Sequence, residues 1–397
     1  MKNNLLTLIA GLILSLAGCS QKEPLNPTEN TTENTTDNAT DNASDNEPVN
    51  DSAKEIKSII IDTDMAIDDW PAILYILQSS KAKVLAITVT GAGEAYCAEG
   101  MRNAMYLLRL ADKQSSDIVV ACGDSEPMDG YNVFPQAWRD SVNNLYGLPI
   151  PTDLPSASDK HAVAVLFDLI KQSKTPVDIV TLGNLTNIGQ MLQQDSSITA
   201  KIGTIYIMGG AINAIGNIIV PGFTDNNKNK VAEWNIYVDP EAAQIVFRAD
   251  VAKALVPLDA TNTVRVTKEF ALRLKQEAQS ASAKFFDQVL DKNDWFIASG
   301  EYYFWDMLTA VYALNEDICE TEQHYVDVIV KYSSDAETNV QADYSKQIQN
   351  GQKRNIMDPY VAGRTVISKQ PLGQKMTICL KPDAAKFKTM LIDGLNN

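Results

Sequence analysis

Residues 59–70 read IIIDTDMAIDDW, an apolar run followed by four aspartates within eight positions. The three isoleucines predict a strand buried on both faces, because consecutive apolar residues suit the interior of a parallel sheet. Asp62 and Asp64 are two residues apart, so on extended chain they would point the same way. Burying unpaired carboxylates is costly, and the stretch therefore predicts either a solvated acidic turn or a cation site.

The pattern around this stretch continues along residues 55–397, where short β-branched runs alternate with longer amphipathic ones. Strands are predicted at KSIIID, KVLAITVT, IVVAC, VDIVTLG, TIYIMGG and AKALVPLD, and helices between them. This order predicts an α/β fold, a single large Rossmann-like domain with a mostly parallel central sheet and helices on both faces. Three more strands (HYVDVIVKY, GRTVIS and KMTICL) and a last helix (KPDAAKFKTMLIDGL) are predicted near the C-terminus, and the polar segment 335–358 reads as a loop.

Polar and glycine-rich chain follows each of the predicted parallel strands. The segments are Asp62-Thr63-Asp64, Gly91-Ala92-Gly93-Glu94, Leu182-Gly183-Asn184, Gly209-Gly210 and Asp259. Because ligands in such sheets bind outside the carboxyl ends of the strands, these segments predict a binding site at one edge. A later acid, Asp306, lies where another helix should begin.

The donor atoms offered at this edge are oxygens. Oxygen-only ligands favour a hard cation, Ca²⁺ or Mg²⁺. His161 and His324 lie outside these segments, which argues against a histidine-bound transition metal and against a serine–histidine triad. Asp68 and Asp69 fall in the predicted first turn of the next helix, where the helix dipole favours anions, but capping does not explain Asp62 and Asp64. An Asp-x-Asp after a buried strand also occurs in haloacid-dehalogenase-type phosphatases, although the second acid pair is foreign to that motif.

The N-terminus carries the features of an exported, lipid-anchored protein. Residues 1–18 read as a signal peptide, and the ending LAGC resembles the bacterial lipobox, in which Cys19 would carry the lipid. Residues 19–54 are rich in Asn, Thr, Asp and Glu and predict a disordered linker, which leaves 55–397 as one folded domain. We therefore expect a location in the cell envelope, on the periplasmic or extracellular face, with the membrane contacted only through the lipid.

Composition limits the partners and the role of cysteine. The 397-residue chain has a formal net charge of −16, which argues against binding polymeric nucleic acid. The remaining cysteines are Cys97, Cys122, Cys319 and Cys379. They are widely scattered without CxxC spacing, so we expect buried free thiols rather than a zinc site or a disulfide framework.

Several blocks in order along residues 60–315 resemble the inosine–uridine-type nucleoside hydrolases, whose opening motif is D-x-D-x-x-x-D-D. The matching blocks are DTDMAIDD, TLGNLTNIGQML, IMGGAINAIGNI, AEWNIYVDPEAAQIVF, LDATNTV and YYFWDMLTAVY. The resemblance implies calcium-dependent hydrolysis of the N-glycosidic bond of a nucleoside to ribose and free base, through a metal-activated water and an oxocarbenium-like transition state. It also implies homodimers or homotetramers.

The resemblance assigns a role to individual residues. Calcium would be held by Asp64, Asp69, the carbonyl of Leu182 and Asp306, and Asp64 would also take the proton from the attacking water. Asp62 would orient its neighbours from behind. The substrate would be bound by Asp68, Glu94, Trp138, Asn217, Glu233, Asn235 and Trp305. Of these, Glu233 and Asn235 share one face if their segment is extended.

The blocks FPQAWR, AEWNIYVDP and YYFWD look most like the purine-preferring branch of the family. Pyrimidine-accepting relatives usually have His just before the late Asp, where this chain has Trp305. Trp138 and Trp305 would then sandwich a purine base. Ala66 and the loop around Glu94 depart from the family pattern, which leaves a second reading, a nucleoside- or sugar-binding lipoprotein that keeps the calcium site without turnover.

Overall fold

The computed structural model of the chain describes residues 56–113, 117–333 and 354–397. The predicted signal peptide, Cys19, the linker and most of the predicted polar loop at 335–358 lie outside the described residues. From Ile56 onward the described chain belongs to one compact unit. In this part of the chain, no helix combines the length and the apolar character needed to cross a bilayer.

The described strands form one nine-stranded sheet. They are β1 (Lys57–Thr63), β2 (Ala82–Val89), β3 (Val119–Cys122), β4 (Val177–Thr181), β5 (Ile202–Met208), β6 (Ala252–Val256), β7 (Cys319–Val328), β8 (Thr365–Ser368) and β9 (Met376–Pro382). The order is β3-β2-β1-β4-β5-β6-β9-β7-β8. All neighbouring pairs from β3 to β9 are parallel, whereas β7 is antiparallel to both β9 and β8. The predicted α/β fold with a mostly parallel sheet is confirmed.

Helices connect the parallel strands and complete the layers. They are α1 (Asp69–Gln78), α2 (Cys97–Leu110), α3 (Gln136–Asn143), α4 (Ala162–Gln172), α5 (Thr186–Gln194), α6 (Trp234–Val238), α7 (Pro240–Arg248), α8 (Leu258–Thr261), α9 (Lys268–Glu277), α10 (Ala281–Lys292), α11 (Asp294–Ser299), α12 (Trp305–Leu314) and α13 (Ala384–Leu395). The sequence patterns predicted α1, α2, α4, α5, α7, α12 and α13, and gave no helix for α3, α6, α8 or the region of α9 to α11. Each predicted strand corresponds to a strand of the structure, but β7 begins five residues before the predicted segment HYVDVIVKY and ends four residues before its end.

The isoleucines of β1 show how the sheet is covered on both sides. Ile59 and Ile61 belong to one buried cluster, with side chains of α1, α2, α12 and α13, whereas Ile60 belongs to another, with side chains of α4, α5 and α7. All three are completely buried. Alternate residues of one strand therefore anchor two apolar layers, which explains why the run is continuously apolar.

β1 and β4 are neighbours in the sheet, and the strand order changes direction between them. The chain first builds outward through β2 and β3, and then returns to build through β4, β5 and β6. Connections leave β1 and β4 toward opposite faces at such a point, which opens a crevice at the carboxyl ends of the two strands. The acidic stretch after β1 and Leu182 after β4 both lie at this crevice. The two edge strands, β3 and β8, have only four residues each.

The expectation of free cysteines is wrong for all four described positions. Cys97 is bonded to Cys122 and Cys319 to Cys379, with Cα–Cα distances of 5.6 Å in both pairs. Cys97 opens α2 and Cys122 ends β3, while the other two lie on the paired strands β7 and β9. Sequence separations of 25 and 60 residues hid these pairs, because only the topology brings their elements together.

Candidate active site

Asp62 and Asp64 lie at the carboxyl end of β1 with different surroundings. Asp62 is completely buried and accepts hydrogen bonds from Thr88 (2.6 Å) and Asn187 (2.8 Å), both to Oδ1. These contacts fix the Asp62 side chain, and its role of orienting its neighbours stays a prediction. Asp64 is 1% exposed. Its Oδ2 accepts the backbone N–H of Glu94 and its Oδ1 that of Ala66, each at 3.3 Å.

Two glycines leave room for Asp64. A Cβ atom at Gly93 would come within 2.1 Å of the Asp64 Cβ, and one at Gly183 would come within 2.7 Å of its backbone nitrogen. The loops after β2 and β4 therefore approach Asp64 from two sides at a distance that no side chain would permit. Gly93 and Gly183, which lie in segments that the sequence singled out, therefore permit the close approach to Asp64.

The turn between β1 and α1 positions Asp69. Its Oδ1 accepts the hydroxyl of Thr63 and the backbone N–H of Met65 (3.2 Å). Met65 has a φ of 61°, in the left-handed region that non-glycine residues seldom adopt. Trp70, the residue after Asp69, donates its indole N–H to the Met65 carbonyl at 3.0 Å. These contacts turn Asp69 back toward the end of β1.

Three carboxyl groups converge in this crevice. Carboxylate oxygens of Asp68, Asp69 and Asp306 lie within 4.8 Å of one another, and all three residues are buried. Asp306 comes from the first turn of α12, and its backbone N–H donates to Asp68 Oδ2 at 3.4 Å. The sequence resemblance assigned Asp69 and Asp306 to the ion and Asp68 to the sugar. The structure places all three together.

The shifted pKa values of these acids follow from burial and mutual repulsion. Burial raises the pKa of Asp62 to about 7 and that of Asp64 to about 6. Burial and then the charge of Asp64 raise the pKa of Asp68 to about 7. Burial and the neighbouring carboxylates also hold the pKa values of Asp69 and Asp306 well above the ordinary range of an aspartate. These acids therefore repel one another, and a bound cation would favour their ionised forms.

The donor set fits a bound cation. Asp62 Oδ2, Asp69 Oδ2 and Asp306 Oδ1 are buried and have no hydrogen-bond partner among the described residues. Buried oxygens of this kind require either a proton or a ligand. Because the converging atoms are carboxylate oxygens, a hard divalent cation suits them better than a soft metal.

Arg139 on α3 supplies a positive charge that sequence reasoning did not assign. It is 3% exposed, donates from Nη2 to the Gly91 carbonyl at 3.1 Å and lies 4.0 Å from the centroid of the Tyr96 ring. Its charge lowers the pKa values of Asp64 and Glu94, against the larger effect of burial. Arg139 was visible in the block FPQAWR, but nothing in the sequence related it to Glu94.

The segment with Glu233 and Asn235 is a short helix, so the extended conformation considered from sequence is wrong. The Glu233 carboxylate caps α6 by accepting the backbone N–H groups of Asn235 (2.9 Å) and Ile236 (3.3 Å), and it also accepts that of Gly210 (3.0 Å). These bonds stabilise the helical turn. Asn235 donates from Nδ2 to the carbonyls of Leu182 (3.1 Å) and Met208 (3.2 Å). The helix thereby brings Asn235 to the Leu182 carbonyl that the resemblance assigned to the ion.

Asn217 and Trp138 both contact Trp234. Asn217 accepts the backbone N–H of Trp234 on its side chain and the Trp234 indole N–H on its carbonyl, each at 3.1 Å. Trp138 is half-buried and contacts the rings of Trp234 and Phe223, at centroid distances of 5.4 and 5.6 Å. Trp138 therefore belongs to an aromatic group that includes the loop containing Phe223.

Trp305 belongs to a different aromatic group. Its ring lies 6.0 Å from that of Tyr302, which stacks at 4.6 Å on Phe296. The Trp305 indole nitrogen and the Tyr302 hydroxyl are buried without a partner among the described residues. The described contacts put the two predicted base-stacking tryptophans in separate aromatic groups. Tyr302 belongs to the group of Trp305, and although it lies in the motif YYFWD, the sequence analysis gave it no role.

The chain is similar to known nucleoside hydrolases. The family model of the inosine-uridine preferring nucleoside hydrolases matches residues 59–389. "Uridine nucleosidase 1" of Arabidopsis thaliana is 31% identical over 247 residues, which are 62% of this chain and 70% of that protein. "Pyrimidine-specific ribonucleoside hydrolase RihA" of Shewanella sp. (strain ANA-3) is 33% identical over 240 residues, 59% of this chain and 69% of that protein.

A solved structure shares the fold. The "Purine-Preferring Ribonucleoside Hydrolase from Gardnerella vaginalis" superposes with a TM-score of 0.67 and 23% identity, covering 86% of this chain and 98% of that one. The family match decides against the phosphatase and against a binding protein without turnover. The chain therefore belongs to the inosine-uridine preferring nucleoside hydrolase family, and it is an enzyme that hydrolyses the N-glycosidic bond of nucleosides.

Proposed function

We propose that this enzyme is a calcium-dependent purine ribonucleoside hydrolase that acts in the cell envelope. The observation that carries the proposal is the set of three buried carboxyl groups within 4.8 Å at the carboxyl end of β1. Buried oxygens without partners there support a bound divalent cation. The substrate is a small nucleoside, as the family of the chain indicates.

Calcium is the ion proposed because the donors are oxygens and come from both carboxylates and a backbone carbonyl. Asp64, Asp69, Asp306 and the Leu182 carbonyl would hold it. Asp68 lies close enough to Asp69 and Asp306 to join the ligands or to bind a sugar hydroxyl beside them. When bound, the ion supplies a lowered pKa to the attacking water and a fixed position for the sugar.

The chain's own groups account for the remaining chemistry. Asp64 accepts the proton of the water. The C1′–N bond breaks as the water oxygen bonds to C1′, and the departing base takes up a proton from solvent. The surrounding carboxylates stabilise the positive charge that develops on the ribose. Glu94, Asn217, Glu233 and Asn235 would bind its hydroxyl groups.

A purine preference is proposed from Trp138 and Trp305. Neither described histidine is placed to protonate a leaving base, because His161 contacts Asp124 and His324 contacts Glu322, both at exposed positions. Stacking on tryptophan suits the larger purine, and it would make solvent protonation of the ring easier. Relatives that are named for uridine or pyrimidine substrates are identical to this chain at about a third of the matched residues. The assay with five nucleosides described below therefore tests the purine preference.

Export and a lipid anchor at Cys19 complete the proposal. The two disulfides support export, since such bonds persist in oxidising compartments and are rare in the cytosol. Labelling with a radioactive fatty acid tests the anchor. Label in the wild-type chain and none in Cys19→Ala is expected, and equal labelling of both would refute it.

The function is tested with the full chain and five nucleosides: inosine, adenosine, guanosine, uridine and cytidine. Free base is measured by chromatography with Ca²⁺ and, separately, with a chelator. Purine release that the chelator abolishes is expected. Release of uracil or cytosine alone would refute the purine preference, and release that the chelator leaves unchanged would refute the role of calcium.

A further inference from the structure

Tyr146 occupies an unusual turn beside the acidic site. Leu145, Tyr146 and Gly147 have φ angles of 51°, 53° and 77°, so three successive residues are in the left-handed region. Such a conformation costs about 1 kcal/mol or more for each non-glycine residue, and it persists only when the surroundings impose it. Leu145 is completely buried in the core, and Tyr146 is half-buried.

Hydrogen bonds hold this turn against the loop that carries Glu94. The backbone N–H of Tyr96 donates to Asn143 Oδ1 at 3.0 Å, and Asn103 donates to the Val142 carbonyl at 3.1 Å. Asn144 closes the turn by accepting the backbone N–H of Gly147 on its side chain at 3.0 Å. The turn and the loop therefore form one bonded unit at the edge of the site.

The ring of Tyr146 lies against Trp70, the residue that follows Asp69 in the chain. It meets Trp70 edge-on at a centroid distance of 6.3 Å, and Trp70 is bonded to the turn that carries the acids. Burial, and then the charges of Glu94 and Asp68, raise the pKa of Tyr146, so its hydroxyl keeps its proton at neutral pH. That hydroxyl makes no hydrogen bond to any residue in the described part of the chain.

The chemistry of the neighbours indicates what such a hydroxyl is for. Asp68 and Glu94 are acceptors only when ionised, so they can bind a sugar hydroxyl only through its hydrogen. The oxygen of the same sugar hydroxyl then still needs a donor. Tyr146 offers an O–H group in the field of both carboxylates.

We propose that Tyr146 is a substrate-binding residue whose hydroxyl donates a hydrogen bond to a ribose hydroxyl held by Asp68 or Glu94. This inference rests on the proposed function, because it assumes that the ribose of a nucleoside lies at these acids. It adds a tyrosine donor to a set of predicted sugar-binding residues that consists of acids and amides. The left-handed turn is the backbone feature that places it there.

The test compares Tyr146→Phe with the matched control Tyr106→Phe in the full chain. Tyr106 is also half-buried, and its ring meets Phe285, a neighbour of Trp70, edge-on at 5.7 Å. The substrates are inosine and its 2′-deoxy, 3′-deoxy and 5′-deoxy forms, with Ca²⁺ present. We expect Tyr146→Phe to raise the KM for inosine about three- to tenfold with little change in kcat, and the control to change neither.

The deoxy series separates binding from a merely structural role. For the one analogue that lacks the hydroxyl bound by Tyr146, wild type and Tyr146→Phe should have equal KM values. A KM that rises by the same factor for all four substrates, or for none, would overturn the proposal.

Failure of the proposed function gives a different result. The wild-type enzyme would then release no hypoxanthine, and binding of 1,4-anhydro-D-ribitol, a ribose ring without a base, would be measured by calorimetry. A severalfold weaker affinity in Tyr146→Phe than in Tyr106→Phe would support the proposal by itself. Equal affinities in the two variants would overturn it.

Discussion

Removal of calcium is expected to reverse the way in which stability depends on pH. The pKa of Asp68 rises from its ordinary value of 3.8 to about 7 in the ion-free protein, which corresponds to about 4 kcal/mol for that one carboxyl. The folded state holds this proton more tightly than the unfolded chain does. Its contribution is therefore fully present below pH 4 and is lost as the pH rises through 7.

Calcium at the proposed site would change the sign, because it would bind the ionised carboxylates. Ion binding displaces their protons, so the stabilisation by calcium grows as the pH rises. At a free concentration of one hundred times Kd the gain is about 3 kcal/mol. The measurement is the urea midpoint of the full chain between pH 4 and 8, followed by tryptophan fluorescence, with Ca²⁺ and with a chelator.

A single substitution sharpens this test. Asp306→Asn removes one of the repelling charges, so at pH 7.5 the ion-free variant should be more stable than ion-free wild type and should gain little from calcium. Asp168→Asn, at a carboxyl 51% exposed and paired with Lys160, should behave like wild type. The reasoning is refuted if the midpoint of ion-free wild type rises between pH 5 and 7, or if calcium leaves it unchanged at pH 7.5.

Three further results are expected. Asp64→Asn should lower kcat by at least a hundredfold with Asp168→Asn unaffected, and near-normal turnover would contradict its role as base. Trp305→Ala should reduce hydrolysis of inosine far more than that of a nitrophenyl riboside, whose leaving group needs no proton; equal losses would mean that Trp305 only supports Asp306. Replacing both cysteines of the β7–β9 disulfide by serine should lower the free energy of unfolding by about 4 kcal/mol, because that bond closes a loop of 60 residues. Urea titration measures the change. An unchanged urea midpoint would show that the bond does not restrain the unfolded chain.

The sequence predicted those features that depend on local pattern. The run Ile59-Ile60-Ile61 identified a strand buried on both faces, and the alternation of runs identified the mostly parallel sheet. The acids after β1 and the glycines after β2 and β4 could be placed at one edge, because carboxyl ends of parallel strands meet there. The individual roles of these residues came from the family resemblance rather than from the pattern.

Features that depend on distant parts of the chain were not predictable in this way. The cysteine pairs join elements whose proximity follows from the sheet order, and spacing carried no sign of it. The Glu233 carboxylate stabilises the helix at Trp234–Val238 by capping it, whereas the sequence was considered only as an extended segment with Glu233 and Asn235 on one face. Arg139 and Tyr146 reach the site from α3 and the turn after it, so their sequence neighbours gave no indication of a role.

The four-residue strands at the two margins of the sheet affect how the molecules behave at high concentration. An edge strand exposes backbone N–H and C=O groups that a second chain can pair with, and the number of such groups grows with the length of the strand. β3 on one margin and β8 on the other each offer only a few such groups. The two outermost strands of this wide sheet therefore contribute little to pairing between one molecule and the next.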